Sequence, residues 1–441
     1  MKKILLTLVA LASVSHATAQ TNSAWTLRQC VEYAIEHNIT VKQRENSVKA
    51  SEVELSTARN SRLPDLHASA NQSFNFGRGL TSMNTYTNRN TQSTGFDMGT
   101  SVPLYTGGQI SGTIAVSRIN LEVAMADLER AREDISLQVV STYLQVLYQQ
   151  ELLNVAKEQL NLSKEQLRRI EVLYNNGKAS SADVAEARAA VANDELSVTQ
   201  QNNAHQLALL DLVQLLEINS PEGFDIDYDI IADTSLLPDS LTAITMPSLL
   251  LTEQRPALRA EVLKLQGAQR SVRTAKSGYY PNISLSAGLG SSYYKTSGFQ
   301  AESFGKQLDN NFNRYVGVSL SVPVFNRFST RNSVRQARLQ VENQQLTLEN
   351  TRNSLYKEMQ QAYYNALAAQ RQYCASSTAA DAAQEAFRLV QHKYENGKAT
   401  QTEYEESRTR MLKAVADLLQ AKYTYIFRSK ILNFYQGEPL C

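Results

Sequence analysis

The chain has 441 residues, with 44 Lys and Arg against 43 Asp and Glu, and 42% of its residues are apolar. This near-neutral charge gives no electrostatic reason to expect a nucleic-acid partner. Three scattered cysteines do not form a disulfide framework, and we expect Cys30 and Cys374 to be packed thiols. The sequence has no phosphate loop, nucleophile elbow, paired acid–base motif or metal-ligand spacing. We therefore predict no catalytic residue, no metal site, no cofactor and no enzymatic activity.

Residues 1–19 have the pattern of a secretory signal peptide. Two lysines precede an apolar stretch (4–14), and the A-x-A sequence at 17–19 fits a cleavage site. The apolar stretch is too short to span a membrane as a helix, and no later run of about 18 apolar residues exists. We therefore predict an exported protein without a transmembrane helix.

The chain matches itself at an offset of 220 residues. The aligned pairs are SVPLYTGG (101–108) with SVPVFNRF (321–328) and YNNGKAS (174–180) with YENGKAT (394–400). An earlier pair, TARNSRLP (57–64) with TAKSGYYP (274–281), matches at an offset of 217. This period is far longer than the roughly 20–50 residues of a solenoid repeat. We predict two structural repeats, 20–218 and 248–441, joined by a loop segment (219–247) that contains three prolines.

Each repeat has the same predicted order: a helix, two strands, a very long helix, a turn and a return helix. The first helix covers about 26–60 and cannot continue through Pro64. Alternating apolar and polar residues then predict strands with one apolar face. These strands cover about 64–76 and 94–105 in the first repeat, and about 281–291 and 313–325 in the second. The strands of each repeat form a hairpin with a long polar loop.

Apolar residues recur every seven positions through both long helices. They are Ile114, Leu121, Leu128, Ile135, Val139, Val146, Leu153, Leu160, Leu167 and Tyr174 in the first repeat, and Val334, Val341, Leu348, Leu355, Met359, Ala366, Tyr373, Ala380, Phe387 and Tyr394 in the second. Such heptads predict coiled coils, and about 66 residues of helix would extend roughly 100 Å. We place the two helical hairpins at 108–217 and 328–433.

The turn of each helical hairpin has its own signals. Gly177 and Gly397 suit the left-handed position that follows a helix end. Ser180-x-x-Asp183 and Thr400-x-x-Glu403 then predict capping boxes that begin the return helices.

Four strands of about ten residues with one apolar face fit tilted membrane-spanning strands. The alternative is a sheet half-buried on a soluble core, but no segment offers an apolar layer to cover it. In lipid, open sheet edges would leave backbone groups unpaired, and membrane barrels begin at about eight strands. Chains must therefore pool their strands, and two, three or four copies would each satisfy this requirement.

The ordered set of motifs resembles the TolC-like outer membrane efflux family over essentially the whole processed chain. The resemblance rests on the duplicated unit, on the V-P-(L/V)-(Y/F) strand ends at 102–105 and 322–325, and on the Y-x-N-G-K-A turns at 174–179 and 394–399. The ending ILNFYQG (431–437) is similar to that of Bacteroidota members. The resemblance implies a mainly α-helical fold with a membrane β-barrel, in which a homotrimer closes twelve strands above a periplasmic tunnel of twelve helices. It also implies an equatorial belt built from 219–247 and the C-terminal residues.

The function that this resemblance implies is a passive exit duct in the outer membrane. Such a duct serves a tripartite efflux or type I secretion system, coupled to a periplasmic adaptor (membrane fusion) protein and an inner-membrane RND or ABC transporter. Two alternatives stay open. A periplasmic coiled-coil structural protein would dissolve without detergent and form no pore, and a self-sufficient uptake porin would need only the barrel.

The resemblance also assigns candidate site residues at the hairpin ends. Glu403 and Glu406 share one helix face and match the family's inner acidic pair, which lines the pore constriction, and Asp183 is the first-repeat counterpart. Threefold symmetry would make carboxylate rings that favour cations, although helix capping competes as the role of Glu403 and Asp183. We expect the adaptor to dock on the exposed hairpin ends, and the alternative is a solvated turn shaped only by helix capping. The expected docking residues are Gly177, Lys178, Ala179, Ser180, Gly397, Lys398, Ala399 and Thr400.

The sequence departs from the best-known members of that family at Ala399, where their second hairpin end has an arginine of the closing network. The latch must then use other residues, and Lys398, Arg408 and Tyr394 are the candidates. Trp25, just before the first helix, is expected to be a packing anchor.

Overall fold

The structure, a computed structural model, describes residues 24–80, 84–220, 222–228, 253 and 255–438. The predicted signal peptide and most of the 219–247 segment lie outside these residues. Helix α1 (Leu27–His37) begins with a capping box between Thr26 and Gln29, and α2 is Ile39–Asn60. The elements that follow are β1 (Asp65–Asn75), β2 (Arg78–Leu80), β3 (Tyr86–Asn88), β4 (Thr91–Thr106), α3 (Gln109–Asn175), α4 (Ser181–Leu215), α5 (Pro256–Lys276), a 3₁₀ turn (Ser277–Tyr279), β5 (Asn282–Thr296), α6 (Phe304–Asn310), β6 (Asn313–Ser321), α7 (Ser329–Glu395) and α8 (Gln401–Gln436).

The chain forms two compact units, and each takes segments from both sequence repeats. The helical unit comprises the described residues up to 44, within 128–255 and from 353 onward, and the sheet unit comprises those within 45–127 and 256–352. The boundaries of the repeats and of the units differ because the long helices α3 and α7, of 67 residues each, contribute to both units.

Half of the twenty heptad positions of α3 and α7 are buried, and all the others except the exposed Tyr174 are half-buried. Val139, Val146, Met359 and Ala366 are at most 2% exposed. In the helical unit, α1 packs on α3 and α4 around Tyr143, whose hydroxyl donates to the carbonyl oxygens of Trp25 and Asp227 at 3.2 and 2.9 Å. Burial raises the pKa of Tyr143. Trp25 also packs against aromatic neighbours, as expected of an anchor.

The first helix, predicted without a break over about 26–60, is interrupted at Asn38. The backbone there is extended (φ −59°, ψ 133°). The Asn38 side-chain amide donates to the carbonyl oxygen of Leu215 at 3.1 Å, and its own oxygen accepts from the backbone N–H of Thr40 at 2.9 Å. Asn38 therefore caps α2 while it binds the end of α4, and this long-range contact favours the break.

The sheet unit contains a four-stranded antiparallel sheet in the order β1-β4-β5-β6. The register places apolar residues directly opposite one another on one face, for example Ala68 with Met98, Met98 with Leu289, and Leu285 with Val318. The opposite face carries Ser, Asn, Gly, Asp and His residues. This register confirms the alternation predicted from the sequence. Strands β4 and β5 belong to different repeats, so the middle of the sheet joins the two halves of the chain.

Most of the apolar face of the sheet is uncovered within the sheet unit, and α6 covers only one end of it, where Phe304 packs on Phe96 and Tyr293. Both edge strands have a free side among the described residues. Val316, Val318 and Leu320 on β6 are 78%, 67% and 64% exposed. β1 pairs only with β4, and β6 only with β5. Among the described residues, no helix has the length and apolar character needed to cross a membrane.

Three details differ from the sequence-based expectation. β6 ends at Ser321 rather than near 325, because its partner β5 begins at Asn282 and Pro323 has no N–H to donate. The polar loops contain the small β2–β3 hairpin and the helix α6. Cys374 is exposed, in contrast to the buried Cys30. The neighbouring Tyr373 occupies the heptad position and stacks on Tyr425, which turns residue 374 away from the packed seam.

Gly107, where β4 leads into α3, tests how tightly the sheet unit is packed. Its φ is +62°, and an added Cβ would lie 2.7 Å from both the Ser277 carbonyl oxygen and the Tyr280 Cβ. Gly108 has φ +86°, but a Cβ there meets no described atom within 4 Å. We expect Gly107→Ala to destabilise the protein by more than about 2 kcal/mol and the control Gly108→Ala by only about 1 kcal/mol. Thermal unfolding of the two variants checks this, and equal losses would contradict the packing.

Candidate functional site

The two helical hairpins end in turns of identical geometry. After α3, the N–H of Gly177 donates to the carbonyl oxygen of Tyr174 at 2.9 Å, and Lys178 donates to that of Leu173 at 2.8 Å. The Gly177 φ is +71°. The equivalent bonds after α7 measure 3.0 and 2.8 Å, and the φ of Gly397 is +69°. Each turn is thus a Schellman motif, in which a left-handed glycine satisfies the last carbonyl groups of the helix.

Both return helices begin with the predicted capping boxes. The Ser180 N–H donates to Asp183 Oδ2 at 2.7 Å, while the Asp183 N–H donates to Ser180 Oγ at 3.2 Å. Thr400 and Glu403 make the same pair of bonds at 2.8 and 3.2 Å. The backbone N–H and hydroxyl donors of Ser180 and Thr400 lower the pKa of Asp183 and of Glu403. Because these folded-state values are lowered, we expect both caps to persist in mild acid and to be lost only as the pH falls through the lowered pKa.

The predicted constriction residues lie on different helices within one chain. Glu403 and Glu406 are exposed on the first turns of α8, and Asp183 is half-buried on α4. Among the described residues, no hydrogen bond or ion pair joins Asp183 to either glutamate. Glu406 has no capping role, so its carboxylate is the one left to face solvent or a pore.

The predicted docking residues form the exposed ends of the hairpins. Gly177, Lys178 and Ser180 are exposed and Ala179 is half-buried, and their second-repeat counterparts Gly397, Lys398, Thr400 and Ala399 follow the same pattern. The two ends contact each other, since Arg169 donates to the carbonyl oxygen of Glu395 at 3.1 Å. The Tyr394 hydroxyl bonds with Gln166 and lies in the field of Asp183, and burial raises its pKa. Of the three candidate latch residues, Lys398 is exposed, whereas the side chains of Tyr394 and Arg408 bind residues on the helices of the first hairpin.

Arg408 is the most deeply buried charged side chain near the hairpin ends, at 5% exposure. Its guanidinium pairs with Asp194 on α4 and donates to Ser163 Oγ on α3 at 2.9 Å. Ser163 in turn donates to Asp194. Glu405, one turn away on α8, accepts at 3.1 Å. This network binds the second return helix to both helices of the first hairpin.

The two repeats differ in these positions, and this difference is the signal that the sequence analysis missed. Gln159, which also borders the guanidinium, and Ser163 and Asp194 correspond at offset 220 to Ala379, Ala383 and Ala414. The first-repeat counterpart of Arg408 is Arg188, which stays on the surface and pairs with Glu171 at 3.0 Å. The polar socket therefore exists once per chain, in the first repeat, and accepts an arginine from the second.

Comparison with known proteins decides the family. The sequence matches the outer membrane efflux protein family over residues 30–217 and 248–437. The chain belongs to this family. TolC of Salmonella enteritidis is 22% identical across 99% of this chain and 86% of its own length. The cobalt-zinc-cadmium resistance protein CzcC of Cupriavidus metallidurans is 25% identical over 54% of this chain. The aligned region spans only 52% of the length of CzcC.

Solved structures show the same fold. The outer membrane protein VceC of Vibrio cholerae superposes with a TM-score of 0.72 at 17% identity, covering 94% of this chain and 97% of VceC. These findings confirm the predicted family, its outer membrane location and the mainly α-helical fold with a sheet. The resemblance of residues 431–437 to Bacteroidota members stays a prediction.

Proposed function

We propose that the chain is the outer membrane exit duct of a tripartite efflux or type I secretion system. It would act as a passive conduit rather than as an enzyme. The observation that carries this proposal is the sheet, whose apolar face is largely uncovered and whose two edges are unpaired among the described residues. Long helices follow its strands β4 and β6 along the chain. In lipid, only closure of the edges satisfies the backbone. Three chains would close twelve strands, as the family resemblance implies, with β6 of one copy beside β1 of the next.

The proposed partners are those that the family resemblance implies. A periplasmic adaptor protein would dock on the two hairpin ends, where exposed turns with small residues permit close helix approach. An inner-membrane RND or ABC transporter would supply the energy, and no nucleic acid takes part. Relatives are named for functions that range from cobalt-zinc-cadmium resistance to pyoverdine export. We therefore assign the choice of cargo to the partner transporter rather than to this chain.

The first test is the mass of the oligomer extracted from outer membranes, corrected for bound detergent, together with its conductance in planar bilayers. Three chains that conduct ions support the duct. A monomer that dissolves without detergent would favour the alternative of a periplasmic coiled-coil protein. Deletion of the partner transporter genes separates a duct from an uptake porin, because only the porin would keep its activity.

Glu403 and Glu406 are proposed to line the constriction of this duct, with Asp183 nearby. We expect Glu406→Gln to lower the cation-to-anion permeability ratio several-fold, because threefold symmetry removes a ring of three carboxylates at once. The comparison variant is Glu186→Gln at the corresponding first-repeat position, which is also exposed. It shows whether the effect on selectivity belongs to the second repeat or to both. Reversal potentials across a KCl gradient measure the effect. Equal permeability ratios for Glu406→Gln and the parent protein would show that Glu406 does not line the pore.

A further inference from the structure

A strongly basic pocket lies at the end of the sheet, where α5 ends and α7 begins. It has a volume of about 510 Å³ and is lined by four cations (Lys276, Arg331, Arg335 and Arg338) and two tyrosines (Tyr279 and Tyr280). Among the described residues, none of the four cations forms an ion pair with a carboxylate. In a chain whose net charge is only +1, four neighbouring cations without counter-charges indicate an anionic ligand.

Two of the four cations are specific to the second repeat. At offset 220, Arg331 and Arg335 correspond to Ser111 and Ala115. The outer members are shared, since Arg338 corresponds to Arg118 and, at offset 217, Lys276 corresponds to Arg59. Arg331 and Arg335 lie four residues apart in the first turns of α7. Helix formation does not need them, because α3 begins in the first repeat with Ser111 and Ala115 at the corresponding positions.

The backbone at this junction is strained only in the second repeat. Arg327 and Phe328 have φ values of +54° and +61°, a region that costs energy for residues with a Cβ. The first repeat has Gly107 and Gly108 at these positions, with φ values of +62° and +86°. Glycine at these positions would relieve the strain. The presence of Arg327 and Phe328 instead indicates that their side chains have a role of their own.

Aromatic side chains connect the basic pocket to the apolar face of the sheet. The Arg331 guanidinium lies 5.8 Å from the centre of the Phe328 ring, and Phe328 contacts Phe325 edge-on at 5.6 Å. Both phenylalanines are exposed, and so are Tyr279 and Tyr280. Phe325 and Phe328 follow β6 along the chain, and Tyr279 and Tyr280 directly precede β5. Exposed aromatic rings beside Arg and Lys, next to an apolar surface, are typical of a membrane–water interface.

We propose that this pocket binds the phosphate of an anionic phospholipid headgroup in the leaflet that adjoins the helical end of the sheet. The proposal rests on the proposed function, in which the apolar face of the sheet contacts lipid. Arginine suits this ligand because its planar fork donates two parallel bonds to a phosphate. The tyrosines and phenylalanines would pack on the glycerol and upper acyl region. A lipid at this place would anchor the chain at a fixed depth in the membrane.

The test uses the full processed chain in detergent, with lipid binding measured by native mass spectrometry. The probes are phosphatidylglycerol and, as the zwitterionic comparison, phosphatidylcholine. The variant Arg331→Ser/Arg335→Ala installs the first-repeat residues, which that junction already tolerates. We expect it to weaken phosphatidylglycerol binding roughly thirtyfold, as two interfacial cations warrant. The control Arg59→Gln/Arg118→Gln also removes two charges and is expected to change this binding less than about threefold.

Each other outcome overturns the proposal in its own way. Equal retention of the two lipids by the parent protein, or unchanged binding in the variant, excludes a headgroup site. Displacement of phosphatidylglycerol by millimolar inorganic phosphate would indicate a site for free anions. Loss of the oligomer in the variant alone would indicate that the arginines contact a second copy. Conductance separates the two proposals. A channel that conducts ions but shows no lipid preference supports the duct and excludes the lipid site. A chain that prefers phosphatidylglycerol but does not conduct supports the lipid site and excludes the duct.

Discussion

Arg408→Ala is expected to destabilise the helical unit by about 3 kcal/mol, because it leaves the Asp194 carboxylate, only 15% exposed, without its counter-charge. Thermal unfolding, followed by the helical circular dichroism signal, measures the loss. The same substitution frees α8 from α3 and α4 near the hairpin ends. In the proposed duct we therefore also expect a higher resting conductance in planar bilayers.

The matched control is Arg188→Ala, which removes the same residue type from the corresponding position of the first repeat. Its partner Glu171 is 41% exposed and Arg188 itself 66%, so the expected loss is below about 1 kcal/mol. The double variant Arg408→Met/Asp194→Leu replaces the buried pair by apolar side chains and is expected to regain most of the stability. If Arg408→Ala costs no more than Arg188→Ala, the network does not hold the helices together.

Val318→Lys is expected to abolish the membrane-inserted oligomer. Val318 lies on the apolar face of β6, and a lysine facing the bilayer interior costs about 2–4 kcal/mol in each chain. Three chains would carry this cost together. Outer membrane fractionation followed by chemical cross-linking of the extracted oligomer checks the result.

Ser319→Lys is the control for Val318→Lys, because the neighbouring residue of a strand points to the opposite face. Ser319 pairs across the sheet with Ser284 at 2.7 Å on the polar face, which would line the interior. We expect this variant to assemble and to change ion selectivity instead. Normal assembly of Val318→Lys would show that the apolar face does not contact lipid.

Local patterns were sufficient to predict most elements of the fold. Heptads identify buried positions such as Val139 and Ala366 because a helix repeats its packing face at a fixed interval. Alternation identifies the strands, and the glycine and capping residues identify the hairpin ends. Each of these signals lies within a few residues of the structure that it specifies.

Features that depend on distant residues could not be predicted in the same way. The interruption at Asn38 follows from a bond to Leu215 that joins positions 177 residues apart. The socket of Arg408 brings together residues of α3, α4 and α8, and its sequence signal appears only when the two repeats are compared position by position. The pairing of β4 with β5 similarly depends on how the two hairpins meet. Helix capping by Glu403 was foreseen, but a pore-lining role needs neighbouring copies to be tested.

The pairing of β4 with β5 has a consequence for symmetry. Inside one chain, the last strand of one hairpin already lies beside the first strand of the next, antiparallel to it. In the proposed trimer, β6 and β1 of adjacent copies would form the same kind of seam, so the backbone would approximate a sixfold ring of hairpins. The side chains reduce this ring to threefold, since only alternate hairpins carry the arginine socket or the basic pocket. In that trimer, the duplication would allow neighbouring positions of one ring to specialise, with the arginine socket locking helices and the proposed basic pocket contacting the membrane surface.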